Sequence, residues 1–145
     1  MMTQTANITK GAEILLTDMG YACLTEMKLP NERRVDVIGL NKKGQIFIVE
    51  VKSGLEDFRT DQKWQDYLGY CDFFAFAVDE TFPKDILPPE HGLIIADQFE
   101  GFQQRQSPEN KLNGARRKSL TLKFARTAAK RLTKRSGLIS AQKTV

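Results

Sequence analysis

Apolar residues recur at helical spacing in three stretches of the chain and crowd into short β-rich runs between them. In residues 7–20, for example, Ala12 and Leu16 fall on one helical face. Asn7 or Thr9 is placed to cap that helix. The predicted elements are a helix at 7–20, strands at 21–29, 33–40 and 45–52, a helix at 57–71, strands at 73–78 and 92–97, a short edge strand at 101–106 and a helix at 111–134. The residues expected on the apolar side of the last helix are Leu112, Leu120, Phe124, Ala128 and Leu132. This order predicts an α/β fold with one mixed central sheet of about five strands, flanked by helices.

The connection between the third and fourth predicted strands indicates how the sheet is arranged. Strands 45–52 and 73–78 are joined through the second helix, which implies a parallel crossover within an otherwise antiparallel sheet. Strands 33–40 and 45–52 carry apolar residues on both faces, so helices are expected on both sides. We expect a single domain over 1–136, followed by a disordered tail at 137–145.

A short turn with the sequence NKKG sets the pairing of the second and third predicted strands. A three-residue hairpin loop commonly ends with glycine in the left-handed conformation. Counting on from such a loop pairs Leu40 with Ile46 and places Asp36 directly opposite Glu50, with Cβ atoms about 5 Å apart. Lys52 lies two residues beyond Glu50 and projects from the same face. The pattern therefore predicts two carboxylates and an ammonium at one end of one sheet face.

This cluster has two interpretations. A Glu-X-Lys at a strand end is commonly an ordinary ion pair, here between Glu50 and Lys52. Two adjacent carboxylates repel, however, unless one is protonated or a cation lies between them. Mg²⁺ prefers oxygen ligands and takes one or two carboxylates plus water, and the main-chain carbonyl of Val51 is a further candidate ligand. With Lys52 beside a metal-activated water, Asp36 and Glu50 would complete the parts needed for phosphodiester hydrolysis.

The charges are divided unevenly along the chain. Residues 1–110 hold 11 Lys or Arg and 18 Asp or Glu, whereas residues 111–145 hold 11 Lys or Arg and no acid. Like charges spaced i, i+4 destabilise a helix, so a polyanionic partner is expected, with nucleic acid as the first candidate. The basic residues of this helix expected to contact it are Arg116, Arg117, Lys118 and Lys123. An anionic membrane surface is the alternative, disfavoured because the apolar side of the helix contains small alanines and no Trp.

Other classes of site find little support in the composition. His91 is the only histidine, so a His-based metal cluster or a Ser/His/Asp triad is not expected. Cys23 and Cys71 match no metal-ligand spacing and are expected to be reduced thiols. No apolar run approaches the roughly 20 residues that span a bilayer, and the start of the chain has no recognisable secretory signal. We therefore expect a cytoplasmic protein.

The segment RRVDVIGLNKKGQIFIVEVKSG resembles the signature of the PD-(D/E)XK nuclease superfamily, with Asp36 followed after 13 residues by Glu50-Val51-Lys52. Five segments together resemble the MmcB-like DNA repair family of bacteria. They are RRVDVIGL, IFIVEVKSG, DFRTDQKWQDYLGYCD, GLIIAD and ARRKSLTLKFARTAAKRL. The resemblance extends over about residues 8–132 and implies a restriction-endonuclease-like core with a role in DNA repair.

The resemblance also implies roles for individual residues. Asp36 and Glu50, with Val51, would hold Mg²⁺ or Mn²⁺, and Lys52 would assist the attacking water. The accessory candidates are Glu13 on the first helix, Ser53 just after the motif, and Asp61, either as a helix cap or as a group that orients Lys52.

Four further basic residues are expected near the site, either as phosphate contacts or as ordinary surface charges. They are Arg33, Arg34, Arg59 and Lys63. The sequence thus predicts a metal-dependent DNA nuclease of repair, with DNA and a repair protein as expected partners. The alternative is a catalytically inactive DNA-binding module on the same fold, and a weaker one is a protein that binds RNA or a membrane.

Overall fold

The computed structural model describes residues 2–137 and contains one six-stranded sheet. The helices are α1 (Gln4–Asp18), α2 (Leu55–Thr60) and α3 (Gly114–Arg135), with 3₁₀ segments at Lys63–Tyr70 and Lys84–Ile86. The strands are β1 (Tyr21–Thr25), β2 (Val37–Asn41), β3 (Ile46–Val51), β4 (Phe73–Val78), β5 (Gly92–Ala96) and β6 (Gly101–Arg105). They lie side by side in chain order. The predicted fold class, a mixed sheet flanked by helices with a long C-terminal helix, is confirmed.

Both faces of the sheet are covered, as the apolar strands predict. On one face, Ile8, Ala12 and Leu16 of α1 pack on buried residues of β3 and its neighbours. On the other face, the segment Lys63–Tyr70 and α3 pack on a second cluster, to which α3 contributes Leu120. Each fully buried aliphatic side chain contributes about 1.5–3 kcal/mol, so these two layers hold the sheet between them.

The hairpin of β2 and β3 has the predicted register. Leu40 pairs with Ile46. Gly44 has a φ of 81°, the left-handed conformation that the last position of this loop requires. The side-chain oxygen of Asn41 accepts hydrogen bonds from two backbone N–H groups of the loop, at 3.0 and 2.9 Å. The turn is therefore held by its own side chains, which is why local counting finds the register.

Two neighbouring strand pairs are parallel. The parallel pairing of β3 with β4 was expected. The pairing of β4 with β5 is parallel too, so the expectation of an otherwise antiparallel sheet is wrong. The connection between them, residues 79–91, contains a 3₁₀ turn in place of an α-helix. Phe82 and Leu87 anchor this connection in the core on the α3 side, and their burial lets a proline-punctuated loop serve as the crossover.

The single helix predicted at 57–71 is wrong, because the chain forms two short pieces instead. α2 ends at Thr60, and Asp61 is extended, with φ −126° and ψ 107°. The Asp61 side chain accepts a hydrogen bond from the Lys63 N–H at 3.0 Å, a turn that competes with helix continuation. In the 3₁₀ segment that follows, Trp64 and Tyr67 are one turn apart and both are buried.

The start of α1 also differs from its prediction. Its cap is Thr3, whose side-chain oxygen accepts a hydrogen bond from the Ala6 N–H at 3.1 Å. Asn7 and Thr9 lie inside the helix, so the expected caps are wrong. The periodic apolar residues of α1 begin after its first turn, so they do not show where the helix starts.

The long helix α3 is capped by Asn113, which accepts from the Arg116 N–H at 2.8 Å. Of the residues predicted on its apolar side, Leu120 and Phe124 are buried, whereas Leu132 is 65% exposed, so the helix does not pack on the sheet as far as its last turns. Within residues 2–137, no helix combines the length and apolar character needed to cross a bilayer. The tail predicted at 137–145 lies, apart from its first residue, outside the described residues.

Candidate active site

β2 and β3 bring Asp36 and Glu50 together at one end of the sheet. Val37 pairs with Val49, and one step further along this antiparallel pair Asp36 lies opposite Glu50. The Val51 N–H donates a hydrogen bond to Asp36 Oδ2 at 2.7 Å, which ties the two strand ends together. The juxtaposition counted from the NKKG turn is therefore present.

The two carboxyl groups are deeply placed, and Glu50 is only 4% exposed. Burial, followed by the hydrogen bond and charge of Asp36, raises the pKa of Glu50 to about 9. Burial also raises the pKa of Asp36, although hydrogen bonds to Glu50 and from the Val51 N–H oppose that shift. Burial and the mutual repulsion of the two carboxylates thus favour protonation of the pair unless a cation lies between them.

Lys52 lies beside this pair and is 1% exposed. Its Nζ is 3.3 Å from Glu50 Oε2, 3.5 Å from Asp61 Oδ2 and 3.8 Å from Asp57 Oδ1. It also donates to the main-chain carbonyl of Asp61 at 3.3 Å. With Asp36 included, four carboxyl groups surround one ammonium, so the cluster has a deficit of positive charge.

The break between α2 and the 3₁₀ segment places Asp61 against Lys52. Because the chain is extended at Asp61, both its carboxylate and its carbonyl reach the Lys52 ammonium. Burial alone would raise the pKa of Asp61, but the Lys63 N–H and the Lys52 ammonium hold it below its usual value. Of the two roles predicted for Asp61, its position matches the one that orients Lys52.

Ser53 and Glu13, the other accessory candidates, are positioned differently from each other. The N–H and the hydroxyl of Ser53 both donate to Asp57 Oδ2, at 3.0 and 3.3 Å, at the start of α2. Glu13 lines the same groove as Asp36, between α1 and the end of β1, and burial raises its pKa. Lys10 and Thr25 also line this groove. Glu13 and Asp36 thus border one groove, whereas the Ser53 hydroxyl is engaged with Asp57.

The Asp36 and Glu50 pair fits a divalent cation of the kind the sequence predicts. Glu50 Oε1 is buried and has no hydrogen-bond partner, an arrangement that costs about 1–3 kcal/mol unless a proton or cation offsets it. No group of three or more His, Cys, Asp or Glu side chains within residues 2–137 is arranged to hold a metal. Mg²⁺ takes only one or two carboxylates and completes its shell with water and substrate oxygens, so two carboxylates suffice.

Of the four basic residues predicted near the site, three are exposed and one is paired with an acidic side chain. Arg34, Arg59 and Lys63 are exposed. Arg33 is engaged, because its Nε is 2.8 Å from Asp66 Oδ2. Three of the four are thus directly available to an anionic ligand.

The basic residues at the start of α3 lie at the other end of the sheet. Arg117 forms a bidentate pair with the buried Asp72, at 2.6 and 2.8 Å, and also donates to the Gly44 carbonyl. Asp72 in turn accepts from the Ile46 N–H, about 13 Å along β3 from Glu50 at the usual rise per residue. Arg117 therefore has a structural role, and its contact with nucleic acid stays a prediction.

The other α3 candidates differ in their surroundings. Arg116 donates to the Gly69 carbonyl at 2.8 Å and its guanidinium lies 4.4 Å from the Tyr70 ring centre, while Lys118 is exposed. The far half of α3 approaches the site instead, because Arg131 donates to the Glu26 carbonyl at 3.2 Å. The Glu26 N–H donates to the Asp36 carbonyl. Lys123, between the two ends, lies near enough to Glu32 to lower its pKa, after Lys28.

Sequence reasoning missed two carboxylates that matter here. Asp57 is not among the predicted site residues, although it faces Lys52 and accepts hydrogen bonds from Ser53. Its spacing of four from Asp61, just after the Glu-X-Lys, is the signal that could have found it. Asp72 has no such local signal, since its partner Arg117 is 45 residues away.

Comparison with known proteins places this geometry in context. The family model described as "DNA repair protein MmcB-like" matches residues 2–137. The solved structure of a protein of unknown function from Silicibacter pomeroyi is 42% identical, with a TM-score of 0.88 over 92% of this chain and 91% of that one. A repair endonuclease from Pyrococcus abyssi is a distant structural match, at 18% identity and a TM-score of 0.35 over 52% of this chain and 38% of that one. Among curated proteins, none matches the chain significantly.

Proposed function

The chain belongs to the MmcB-like family of DNA repair proteins, and on that premise we propose that it hydrolyses phosphodiester bonds of DNA with a divalent cation. The observation that carries the proposal is the Asp36 and Glu50 pair, with a buried Glu50 oxygen that receives no hydrogen bond from an N–H donor and with Lys52 Nζ 3.3 Å from the other oxygen. An ordinary buried ion pair sets one carboxylate against one cation, whereas here Asp36 lies against Glu50 as well.

Asp36 and Glu50 would hold Mg²⁺ or Mn²⁺ through their carboxylates, with the Val51 carbonyl as a further ligand. Such a cation supplies Lewis acidity and a bound water of lowered pKa. The protein keeps the two carboxylates in place by the strand pairing of β2 and β3 and by the hydrogen bond from the Val51 N–H to Asp36. Strand pairing thus holds the ends of β2 and β3 together, and one main-chain N–H holds the Asp36 carboxylate.

Lys52 would provide positive charge next to the reacting phosphate. An ammonium at this point stabilises negative charge that develops in the transition state. Its contacts with the Asp61 carbonyl and carboxylate, and with Asp57, direct the side chain. Asp57 and Asp61 therefore act as positioning residues for Lys52.

The DNA backbone would be held by exposed basic residues at the same end of the molecule. Arg34 lies two residues before Asp36, and Arg59 and Lys63 flank the break that carries Asp61. The second half of α3 adds further cations near Glu26, which is hydrogen-bonded to the Asp36 backbone. Phosphate contacts of this kind set affinity and register without reading sequence.

The test is cleavage of labelled single-stranded, duplex and branched DNA in Mn²⁺, in Mg²⁺ and in a chelator. We expect metal-dependent cleavage of at least one substrate, reduced roughly 10²- to 10³-fold in Asp36→Asn and in Lys52→Met. Glu56→Gln removes an exposed carboxylate of α2 and is the matched control that retains the parent rate. Absence of cleavage by the parent, or parental rates in both site variants, overturns the proposal.

A catalytically inactive DNA-binding module is the second candidate, favoured by one specific observation. Lys52 is 1% exposed and is enclosed by three carboxylates, so in this conformation it does not present its ammonium to solvent. This candidate predicts DNA binding that weakens steeply with salt, without cleavage. Affinity would then fall on substitution of Arg59 and Lys63 but not in Glu50→Gln.

A further inference from the structure

The side of α3 that faces away from the sheet carries an apolar stripe. Leu122 and Leu132 are 56% and 65% exposed, and Ala125 and Ala129 between them are exposed as well. These four residues, which we call the outer stripe, are spaced 3, 4 and 3 apart. That is the a/d spacing of a helix that packs along another helix.

The outer stripe begins opposite the side of α3 that anchors the helix to the sheet, and it turns towards that side near its end. Leu120 and Phe124 are the buried anchors, and at about 100° per residue Leu122 points about 200° away from each of them. Leu132 is only about 80° round the helix from Phe124, yet it is 65% exposed. The exposed apolar surface therefore starts on the outer side of α3 and continues along its last turns. A single exposed leucine needs no explanation, whereas periodic exposed leucines over three turns mark an interaction surface.

The charges beside the outer stripe indicate the chemistry of its partner. α3 carries nine Lys or Arg and no Asp or Glu, and Lys118 and Arg126 border the stripe and are exposed. A second copy of α3 would place the same cations against these, which disfavours self-pairing. A partner with acidic residues beside its own apolar stripe would match both features.

The small side chains in the middle of the stripe indicate that the partner is itself a helix. Ala125 and Ala129 lie one turn apart, and small residues at a contact allow two helix axes to approach at the short end of the usual 8–10 Å range. Nucleic acid would account for the cations, but its backbone gives exposed leucines nothing apolar to contact.

We propose that the outer stripe is the docking surface for an acidic amphipathic helix of a partner protein. This proposal does not depend on catalysis, because none of its residues belongs to the Asp36 and Glu50 site. It predicts a partner segment with Leu or Ile at a/d spacing and with Glu or Asp on the flanks of that spacing.

The test uses a fluorescent synthetic peptide of three heptads with Leu at a and d and Glu at e and g, titrated into the full chain at low salt. We expect saturable binding, and at least roughly tenfold weaker binding to a chain that carries both Leu122→Gln and Leu132→Gln. Gln keeps the helix propensity of Leu while removing the apolar contact. A peptide with Lys in place of Glu is expected to bind at least roughly tenfold more weakly than the Glu peptide.

Phe102→Gln is the matched control, because it removes an apolar side chain that is 63% exposed but lies on β6; it should bind the Glu peptide like the parent. Circular dichroism melting establishes that each variant is folded. No binding of the Glu peptide, or equal binding by the doubly substituted chain, overturns the proposal.

Three results with the Leu122 and Leu132 double variant would assign the stripe to another ligand and also overturn the proposal. Loss of a parental dimer in sedimentation velocity would make a second copy the occupant. Loss of binding to phosphatidylglycerol vesicles would make it a membrane surface. A tenfold or greater loss of DNA affinity, on the order expected for a residue in the contact, would make it part of the nucleic-acid surface.

Discussion

Glu50 shows how a single residue of the candidate site works against the stability of the fold. Burial first, and then Asp36, raise its pKa from 4.5 to about 9. Between those two values the folded protein holds a proton that the unfolded chain releases. The contribution of Glu50 to the free energy of unfolding therefore falls as pH rises through that window. Functional carboxylates commonly carry such a cost.

Glu50→Gln is accordingly expected to stabilise the metal-free protein. The amide can donate to Asp36 while its oxygen still accepts from Lys52, so the repulsion disappears. At pH 8 we expect the free energy of unfolding in urea to rise by about 2–4 kcal/mol, and the gain to shrink towards pH 5. Glu56→Gln should change it by less than about 0.5 kcal/mol. A Glu50→Gln protein less stable than the parent at pH 8 would contradict this account of the pair.

Asp72 and Arg117 make the opposite contribution. Burial alone would raise the pKa of Asp72, but hydrogen bonds from Arg117 and from the Ile46 and Leu112 N–H groups more than offset it and hold the pKa below 3.8. A group with a lowered folded pKa stabilises the protein at pH values above its unfolded pKa, and that stability is lost as pH falls below 3.8.

Asp72→Asn should therefore lower the free energy of unfolding by about 2–4 kcal/mol at pH 7. The deficit should stay constant down to about pH 5 and close as pH falls below the usual carboxyl value. Urea titrations of both proteins between pH 3 and 7 measure it. A deficit that persists unchanged at pH 3 would show that the interaction does not involve the charge of Asp72.

At the scale of elements, the strands were predictable because their signals are local. The apolar runs mark β3 and β4, and the NKKG turn alone sets the hairpin register. The break after α2 was not predicted, because only one of its two supports is local. The Asp61 side chain accepts from the nearby Lys63 N–H, whereas the Asp61 carbonyl accepts from Lys52 on β3. That contact joins elements which meet only in the folded chain, while local periodicity favours one uninterrupted helix.

The difference in burial between Phe124 and Leu132 of α3 gives the clearest test at this scale. Phe124 is buried against the sheet, whereas Leu132 is exposed, although both fit the apolar periodicity of the helix. We expect Phe124→Ala to lower the free energy of unfolding by about 3 kcal/mol and Leu132→Ala by less than about 0.5 kcal/mol. Equal losses in chemical denaturation would mean that α3 packs through a different face.

At the scale of the whole molecule, the packing of the basic helix α3 decides which of its cations lie near the Asp36 and Glu50 pair. The sequence predicts a basic C-terminal helix, and the structure confirms a helix with nine Lys or Arg. Which end of it approaches the Asp36 and Glu50 pair could not be predicted, because that depends on how the connection before α3 packs. Arg117 meets Gly44 at the far end of β3, while Arg131 meets Glu26 at the near end.

The proposed site predicts that DNA contacts the cations at the Glu50 end of β3 and not those at the hairpin end. Replacing both Arg59 and Lys63 with Gln should weaken DNA binding and reduce the slope of log affinity against log salt by roughly one for each lost phosphate contact. Lys42→Gln removes an equally exposed cation at the hairpin loop, at the opposite end of β3, and should leave the slope unchanged. A larger effect of Lys42→Gln would place DNA at the wrong end for the proposed site.

The most direct measurement is the single-turnover rate of DNA cleavage in saturating Mn²⁺, compared between the parent and Glu50→Gln. Both proteins should be folded and should bind DNA alike, so the comparison isolates the chemistry of the carboxylate pair. We predict that the parent cleaves and that Glu50→Gln is slower by roughly 10²- to 10³-fold. No cleavage by the parent, or equal rates in the two proteins, would contradict the claim that Asp36 and Glu50 form the site of hydrolysis.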